Sequence, residues 1–552
     1  MLACSTDMYN EPSAPMADGG KGIVATQELL ADGGNVFEAG ATTRTAMTSD
    51  KKVAWKVGDN ICFYNGRTNY KYTVKAVNDD DATSCTFASQ SGPVAQADTY
   101  YAVYPYNGGY GYSNGVITGV TLPANQNATD GSFDPECNIM VAKASDLSQG
   151  LQFKHVCSYV KVTPSVDCSR IVLSFGTNVA GTFDVAMDEN GVPSVTNISD
   201  GSNTINLIGD IKAGKEYYVA VIGNITSNQF KATLEKKPTR DDITTWEHEK
   251  KVITLKSYYK EATKELKADR AKILSIGDVA DGTKVEKPVE FEWLEYGDNP
   301  HDDNVKSGTA VLWAKYNLGA ESKDGLGGDE TAAGDYYAWG EVEPRDNAYT
   351  WANYLCKDYY PDELDYAHDA AAVHNGLGWK IPTAGQFTTM KQSTIWVYNG
   401  TMQGYYVYPA IKDENGNVIA EDYQWLPDGQ IYHVETGLDG KKDTLTNAEV
   451  EQKIKELSPD KNIHIFMKLA GYKGETENTA DPADVVEYGK KAAYWTNGRA
   501  ELVSKIDPMP TAYYLGMDQQ KFNMRSYYKP RYYGFTIRPC ITISWGDSSA
   551  KQ

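Results

Sequence analysis

Residues 23–285 are a succession of short apolar segments cut by Gly, Asn, Asp and Pro, and almost none carries a helical period. This feature restricts the fold most. Segments of four to eight residues, spaced by turn signals, predict strands of a sandwich or barrel rather than a helical bundle. The clearest case is a hairpin: residues 182–187, then Asp188-Glu189-Asn190-Gly191, then residues 192–195. An Asn-Gly step between alternating runs favours a tight turn between antiparallel strands. Val156, Ser158, Val160 and Val162 repeat with period two, which predicts one strand face, with Cys157, Tyr159 and Lys161 on the other. Further strands are predicted at 22–30, 100–104, 217–222 and 230–234, with two inside 52–64 broken at Gly58-Asp59. The charged stretch 236–270 is read as an interruption.

Composition agrees. The chain has 39 Tyr and 49 Gly against 13 Phe, which suits half-buried strands and turns. The net charge of −21 argues against a nucleic-acid partner, because binding phosphates needs a basic face. No apolar run reaches the length of a membrane-spanning helix. The eight cysteines show no CxxC and no zinc spacing, so most are expected as buried free thiols.

Past residue 305 the texture changes to Trp, Tyr and Gly with few regular strands. One helix is predicted there. Thr446-Asn447-Ala448-Glu449 is a capping box, and Val450, Ile454 and Leu457 share a face.

Several motifs resemble known families. Thr43-Arg44-Thr45, Trp55-Lys56-Val57-Gly58-Asp59-Asn60-Ile61, Phe153-Lys154-His155 and Tyr217-Tyr218-Val219-Ala220-Val221 resemble, in order and spacing, the Bacteroidales fimbrillin-like proteins. Leu2-Ala3-Cys4-Ser5 resembles the tail end of a bacterial lipobox, and a polar, Pro/Gly-rich tether follows it. A second set begins at Leu312-Trp313-Ala314-Lys315-Tyr316-Asn317-Leu318-Gly319 and continues at Gly334-Asp335-Tyr336-Tyr337-Ala338-Trp339-Gly340-Glu341. It runs on through Gly378-Trp379-Lys380-Ile381-Pro382-Thr383 and Tyr494-Trp495-Thr496 to Tyr533-Gly534-Phe535-Thr536-Ile537-Arg538-Pro539. This set resembles the Fibrobacter succinogenes major paralogous domain, which is similar to C-type-lectin and formylglycine-generating-enzyme folds. Trp313, Trp339, Trp379 and Trp495 lie inside these motifs and are expected in the core.

The resemblances imply a mainly β fold: two tandem transthyretin-like β-sandwiches, then an α+β C-type-lectin-like domain. The implied organisation is a lipobox remnant and tether at 1–22, sandwiches at 23–150 and 151–285, a linker at 286–305, and the lectin-like domain at 306–552. They imply a fimbrial subunit, most simply a tip adhesin, exported as an outer-membrane lipoprotein and displayed at the cell surface. Cys4 would carry the lipid, and Arg44 would be the protease cut. Other fimbrial subunits would join by strand addition, and a glycan or protein ligand would meet the C-terminal domain. The alternative is an outer-membrane glycan-binding lipoprotein that forms no filament.

Candidate ligand contacts are Trp425 and Tyr432 in the stretch 409–462, which departs most from the family, together with Trp396, Tyr405 and Tyr406. Loops on a rigid scaffold are where specificity resides. Neither a cofactor nor a catalytic set is expected. His248-Glu249 lacks a second His four residues on. Asp79-Asp80-Asp81 and Asp413-Glu414-Asn415-Gly416-Asn417 read as turns, the latter with Gln424 where a calcium loop needs Glu. Gly325-Leu326-Gly327-Gly328 lacks the residues of a phosphate loop, and Glu343-Pro344-Arg345 lacks the Asn of a calcium-dependent lectin motif. Cys356 and Cys540 lie in no cationic setting that would activate a thiol.

Overall fold

A computed structural model describes residues 22–36, 53–66, 68–89, 96–245, 252–263, 265–292, 307–320, 328–357, 359–376, 378–392, 394–409, 423–425, 431–434, 442–444, 464–474, 484–500, 509–518 and 526–546. The fold is mainly β, as expected. It has two compact units, Met1–Asp167 with Ile171–Leu234 and Tyr258–Thr283, and Cys168–Arg170 with Glu235–Ser257 and Lys284–Gln552. Among the described residues no helix is long and apolar enough to cross a membrane.

In the first unit seven strands close a barrel in the order Ile23–Gln27, Leu151–His155, Met140–Ala144, Tyr100–Tyr104, Asn60–Tyr64, Asn69–Val77 and Ser84–Ser89. The N-terminal sheet thus closes on itself where an open two-layer sandwich is the expectation, and closure removes every free edge. Residues 52–64 supply one strand rather than two, because the segment before Asn60 turns at Lys56 and Asp59 and carries Trp55 into the barrel. Trp55 meets Phe87, Tyr104 and Phe153 edge-on, with ring centroids 5.2–5.3 Å apart. Such contacts add to the large area that a buried indole removes from water.

A four-stranded sheet follows, in the order Tyr217–Ile222, Cys157–Val162, Lys272–Ser275 and Ala31–Asn35. The strand predicted along 156–162 is present as Cys157–Val162. All six residues of Cys157–Val162 are buried, so both faces are covered, and Lys161 is paired with Glu216 at 3.3 Å. Gln126 joins this sheet to its neighbour, donating to the Ala220 carbonyl at 2.7 Å and accepting from the Ala220 amide at 2.9 Å. The predicted hairpin is present as Ala180–Met187 paired with Pro193–Ser202. Gly191, at φ +72°, closes its turn by donating to the Asp188 carbonyl. The charged stretch 236–270 forms strands too, Ile243–Thr245, Val252–Ala262 and Leu266–Ala268, and is not an interruption.

In the second unit, strand Gly308–Ala314 pairs antiparallel with Cys540–Trp545 and with the end of Thr283–Glu292. Residues 286–292, expected as linker, are therefore strand. Regular strands are also more frequent than the texture of the sequence suggests, with three three-stranded sheets past residue 394. The predicted helix at 446–457 lies outside the described residues.

The motif tryptophans are core. Trp313, Trp339, Trp379 and Trp495 are all buried, and Trp495 stacks on Phe535 at 4.1 Å. Trp339 Nε1 donates to the Thr496 carbonyl and Trp495 Nε1 to the Tyr337 carbonyl, so neither buried N–H lacks an acceptor. Gly534 lets the chain pass the Tyr349 ring, since a Cβ there would stand 2.6 Å from a ring carbon. Six of the seven described cysteines are buried, and all seven are free thiols.

Candidate assembly site

Strand Ile23–Gln27 alternates strictly. Ile23, Ala25 and Gln27 point into the barrel, whereas Val24 is 53% exposed. It pairs antiparallel with Ser84–Ser89 on one side, Ile23 opposite Phe87. On the other side it pairs parallel with Leu151–His155, Ala25 opposite Leu151 and Gln27 opposite Phe153. One short N-terminal strand thus closes a barrel whose other pairs are antiparallel. The close approach of Gly150 to this strand requires glycine, because a Cβ would lie 2.6 Å from the Val24 carbonyl oxygen.

The segment then enters a second sheet. Leu30 is buried, and Ala31–Asn35 runs parallel to Lys272–Ser275 as its edge strand. Val36 is buried, and its amide donates to the Ser275 carbonyl at 2.7 Å. Between the two strands sits Glu28. Its carboxylate accepts from Arg270 Nη1 at 2.6 Å and from the His155 amide at 3.1 Å. Its carbonyl oxygen lies 3.2 Å from His155 Nε2. The other imidazole nitrogen lies 3.1 Å from both the Asn138 Oδ1 and the Tyr159 hydroxyl. His155 therefore holds the junction of the two strands. Residues 22–36 occupy one continuous slot through the first unit; the segment is apolar at both ends, and at its middle the acidic Glu28 meets Arg270.

Burial lowers the His155 pKa to about 4, against the opposing pull of the Glu28 carboxylate. The unfolded chain would take up a proton near pH 6.5, whereas the folded chain refuses it down to about pH 4. The associated stability is thus complete above pH 6.5 and is lost as pH falls towards 4, about 3 kcal/mol in all. A His155→Gln variant is expected to lose about that much less than the parent between pH 7 and pH 4 in urea melts. Equal losses would show that His155 is not the titrating group.

Of the residues singled out in the sequence, Cys4, Arg44, His248, Asp413–Asn417 and Gly325–Gly327 lie outside the described residues. Trp425 and Tyr432 stand on paired strands, Tyr423–Trp425 and Ile431–Val434, and their side chains also lie outside the description. Trp396 and Tyr405 are buried, and that corrects their assignment as ligand contacts. Trp396 Nε1 donates to Thr394 Oγ1 at 2.8 Å, and the Tyr405 hydroxyl donates to the Asp518 carbonyl at 2.8 Å. Both point inward because the strand pair Thr394–Asn399 and Gly404–Pro409 turns that face to the interior. Tyr406 points the other way and is half-buried, beside His464 and Phe466 at 5.0 Å.

Asp81 accepts from the Thr83 amide and hydroxyl, as expected of a turn. In Glu343-Pro344-Arg345, Arg345 is held by both oxygens of Glu341 and lies against Tyr349. Among the described residues no cluster of His, Cys, Asp and Glu could hold a metal ion. Burial pushes both the Cys356 and Cys540 thiols up to about 12, so each is protonated at neutral pH. Glu28 and Arg270 were not among the residues marked by sequence. Their one signal is Phe153-Lys154-His155, whose histidine proves to receive the N-terminal segment.

No protein-family model matches the chain, and no curated protein matches it. Three solved structures are similar to parts or most of it. A candidate cell adhesion protein from Bacteroides uniformis is 18% identical over 33% of this chain and 74% of that one, with a TM-score of 0.25. A candidate cell adhesion protein from Bacteroides fragilis is 12% identical over 50% of this chain and 99% of that one, with a TM-score of 0.26. A fimbrial protein from Bacteroides ovatus is 10% identical over 94% of this chain and 99% of that one, with a TM-score of 0.21. At these scores the likeness carries no argument, and the mainly β fold rests on this chain's own structure.

Proposed function

We propose that this chain is a surface fimbrial subunit that joins its neighbour by strand addition and carries its adhesive face on the second unit. The observation that supports this most is the slot of residues 22–36. A short alternating strand closes a barrel and then edges a second sheet, so its departure would open an apolar cleft with unpaired backbone on both sides. An unpaired edge beside an apolar cleft is a binding site for an alternating strand. In this reading Cys4 anchors the exported chain to the outer membrane, and a protease cuts after Arg44, eight positions beyond the slot segment. Strand Cys540–Trp545 buries Ile541 and Ile543 and is committed to its own unit, which suits a tip position.

Mass spectrometry of the N-terminus from native surface material tests the reading. Chains beginning at Thr45 are expected in filaments, with acylated Cys4 in their precursors, and an Arg44→Ala variant is expected to stay out of filaments. Surface chains that keep residues 22–36 would favour a glycan-binding lipoprotein without a filament. Wild-type assembly of Arg44→Ala would remove the cut from the mechanism.

A further inference from the structure

In the second unit, strands Lys491–Ala500, Thr511–Asp518 and Ser526–Pro530 form an antiparallel sheet. The register sets Lys491 opposite Asp518, Ala493 opposite Gly516, and Ala512 opposite Lys529. Residues two apart share a face, so Lys491, Ala493, Tyr514, Gly516, Asp518 and Lys529 stand on the same one. There the two smallest residues meet directly, and the face is left with a gap. The gap is a cleft of about 280 Å³ lined by these side chains and by Tyr472 and Phe535. Phe535 is buried, with Tyr514 at 4.9 Å and Tyr472 at 6.1 Å from it.

The charges around the cleft define its ligand. Lys529 is half-buried, lies 5.5 Å from the Tyr533 ring centroid, and has no carboxylate partner among the described residues. Burial, and after it the positive charge of Lys491, lowers its pKa below that of an ordinary lysine. Lys491 has an exposed partner in Glu487 at 3.3 Å, a weak contact in water. The cleft carries two ammonium groups against the single carboxylate of Asp518, which stands opposite Lys491, so Lys529 is the cation left to meet an anionic ligand. A bare inorganic anion would make no use of the aromatic walls of the cleft. The rings of Tyr472 and Tyr514 offer an apolar face with a polar tip, and Asp518 offers an acceptor for hydroxyl groups. The volume falls at the small end of ligand pockets, which suits one ring rather than an extended chain.

We propose that this cleft binds a single carboxylated sugar, a uronic or sialic-type acid, with its carboxylate on Lys529 and Lys491, its ring against Tyr514 and Tyr472, and a hydroxyl on Asp518. The inference does not depend on strand addition, and it names a ligand class for the adhesive face.

Saturation-transfer NMR and calorimetry on the purified full chain test it without filaments. The probes are glucuronic acid and N-acetylneuraminic acid, with glucose, methyl glucuronate and sodium acetate as the comparisons. At least one acid is expected to bind about tenfold or more tighter than glucose, the ester and acetate. Lys529→Met is expected to lose about tenfold or more in affinity for that acid with an unchanged melt. Lys491→Gln provides the second arm should Lys529→Met fold poorly, and it is expected to weaken the same acid and leave glucose unaffected. Equal binding of acid and ester, equal binding of acetate, or no saturation by either acid would overturn the proposal. So would full affinity in the folded lysine variants.

Discussion

A chain trimmed to begin at residue 45 is expected to melt far below the full chain, and a peptide spanning residues 22–36 to restore the melt. Trimming takes Ile23, Leu30 and Val36 out of the interior, each of them at most 4% exposed. Burial of such side chains contributes about 1.5–3 kcal/mol each, so their loss removes on the order of 5 kcal/mol or more. Domains are stable by only about 5–15 kcal/mol, so the opened unit would be marginal. In a unit of this size the change corresponds to a fall of roughly 10–20 °C. The peptide must enter the barrel parallel to Leu151–His155 and then run parallel to Lys272–Ser275. Its Glu28 should matter most among the polar positions, because Arg270 and the His155 amide both donate to it. A Glu28→Ala peptide is expected to bind about tenfold more weakly, the value of a charge-assisted hydrogen bond. A trimmed chain that melts within a few degrees of the parent would show that the slot is not what holds the first unit together.

The local part of this fold is legible in the sequence, and the reason is physical. The hairpin at Asp188–Gly191 needs only its own turn residues and neighbouring runs, so period and turn chemistry suffice. Trp313, Trp339, Trp379 and Trp495 are legible as core because a large apolar ring between small residues has few other places to go. Three features are not legible. The strand at 23–27 pairs with residues more than a hundred positions away, and nothing local encodes a parallel register. Cys157–Val162 is legible as a strand from its period of two, but the period does not say that both faces are covered. The cleft depends on Ala493 meeting Gly516, a property of register between strands rather than of either strand. Trp396 and Tyr405 show the converse error. Aromatic residues that precede an atypical stretch look like ligand contacts until the pairing of their strands turns them inward.

Arg538→Met is expected to destabilise the second unit severely. Arg538 has no exposed surface. Its Nη1 donates to the carbonyl oxygens of Ala314 at 3.0 Å and Lys315 at 2.6 Å, and its Nη2 donates to that of Phe466. The guanidinium therefore ties together the end of Gly308–Ala314, the strand Ile465–Lys468 and the last motif of the sequence. Methionine fills similar space but donates nothing, and three carbonyl acceptors, two of them in buried bonds, would lose this donor. Each orphaned group costs about 1–3 kcal/mol, so the loss should be on the order of 4 kcal/mol or more. Lysine should recover only part, because one ammonium cannot reproduce the planar fork. Arg531 is the control. It too has no exposed surface, but it donates to the Tyr359 carbonyl alone, while its Nε and Nη2 have no partner among the described residues. Its guanidinium lies over Trp339 at 5.3 Å and Tyr360 at 5.0 Å. Replacing a buried charge with few partners by an apolar residue of similar volume is often neutral. Arg531→Met should therefore cost much less than Arg538→Met. Urea melts of the two variants separate the ideas. Similar losses would mean that burial of the side chain, and not the count of its hydrogen bonds, sets the stability of this core.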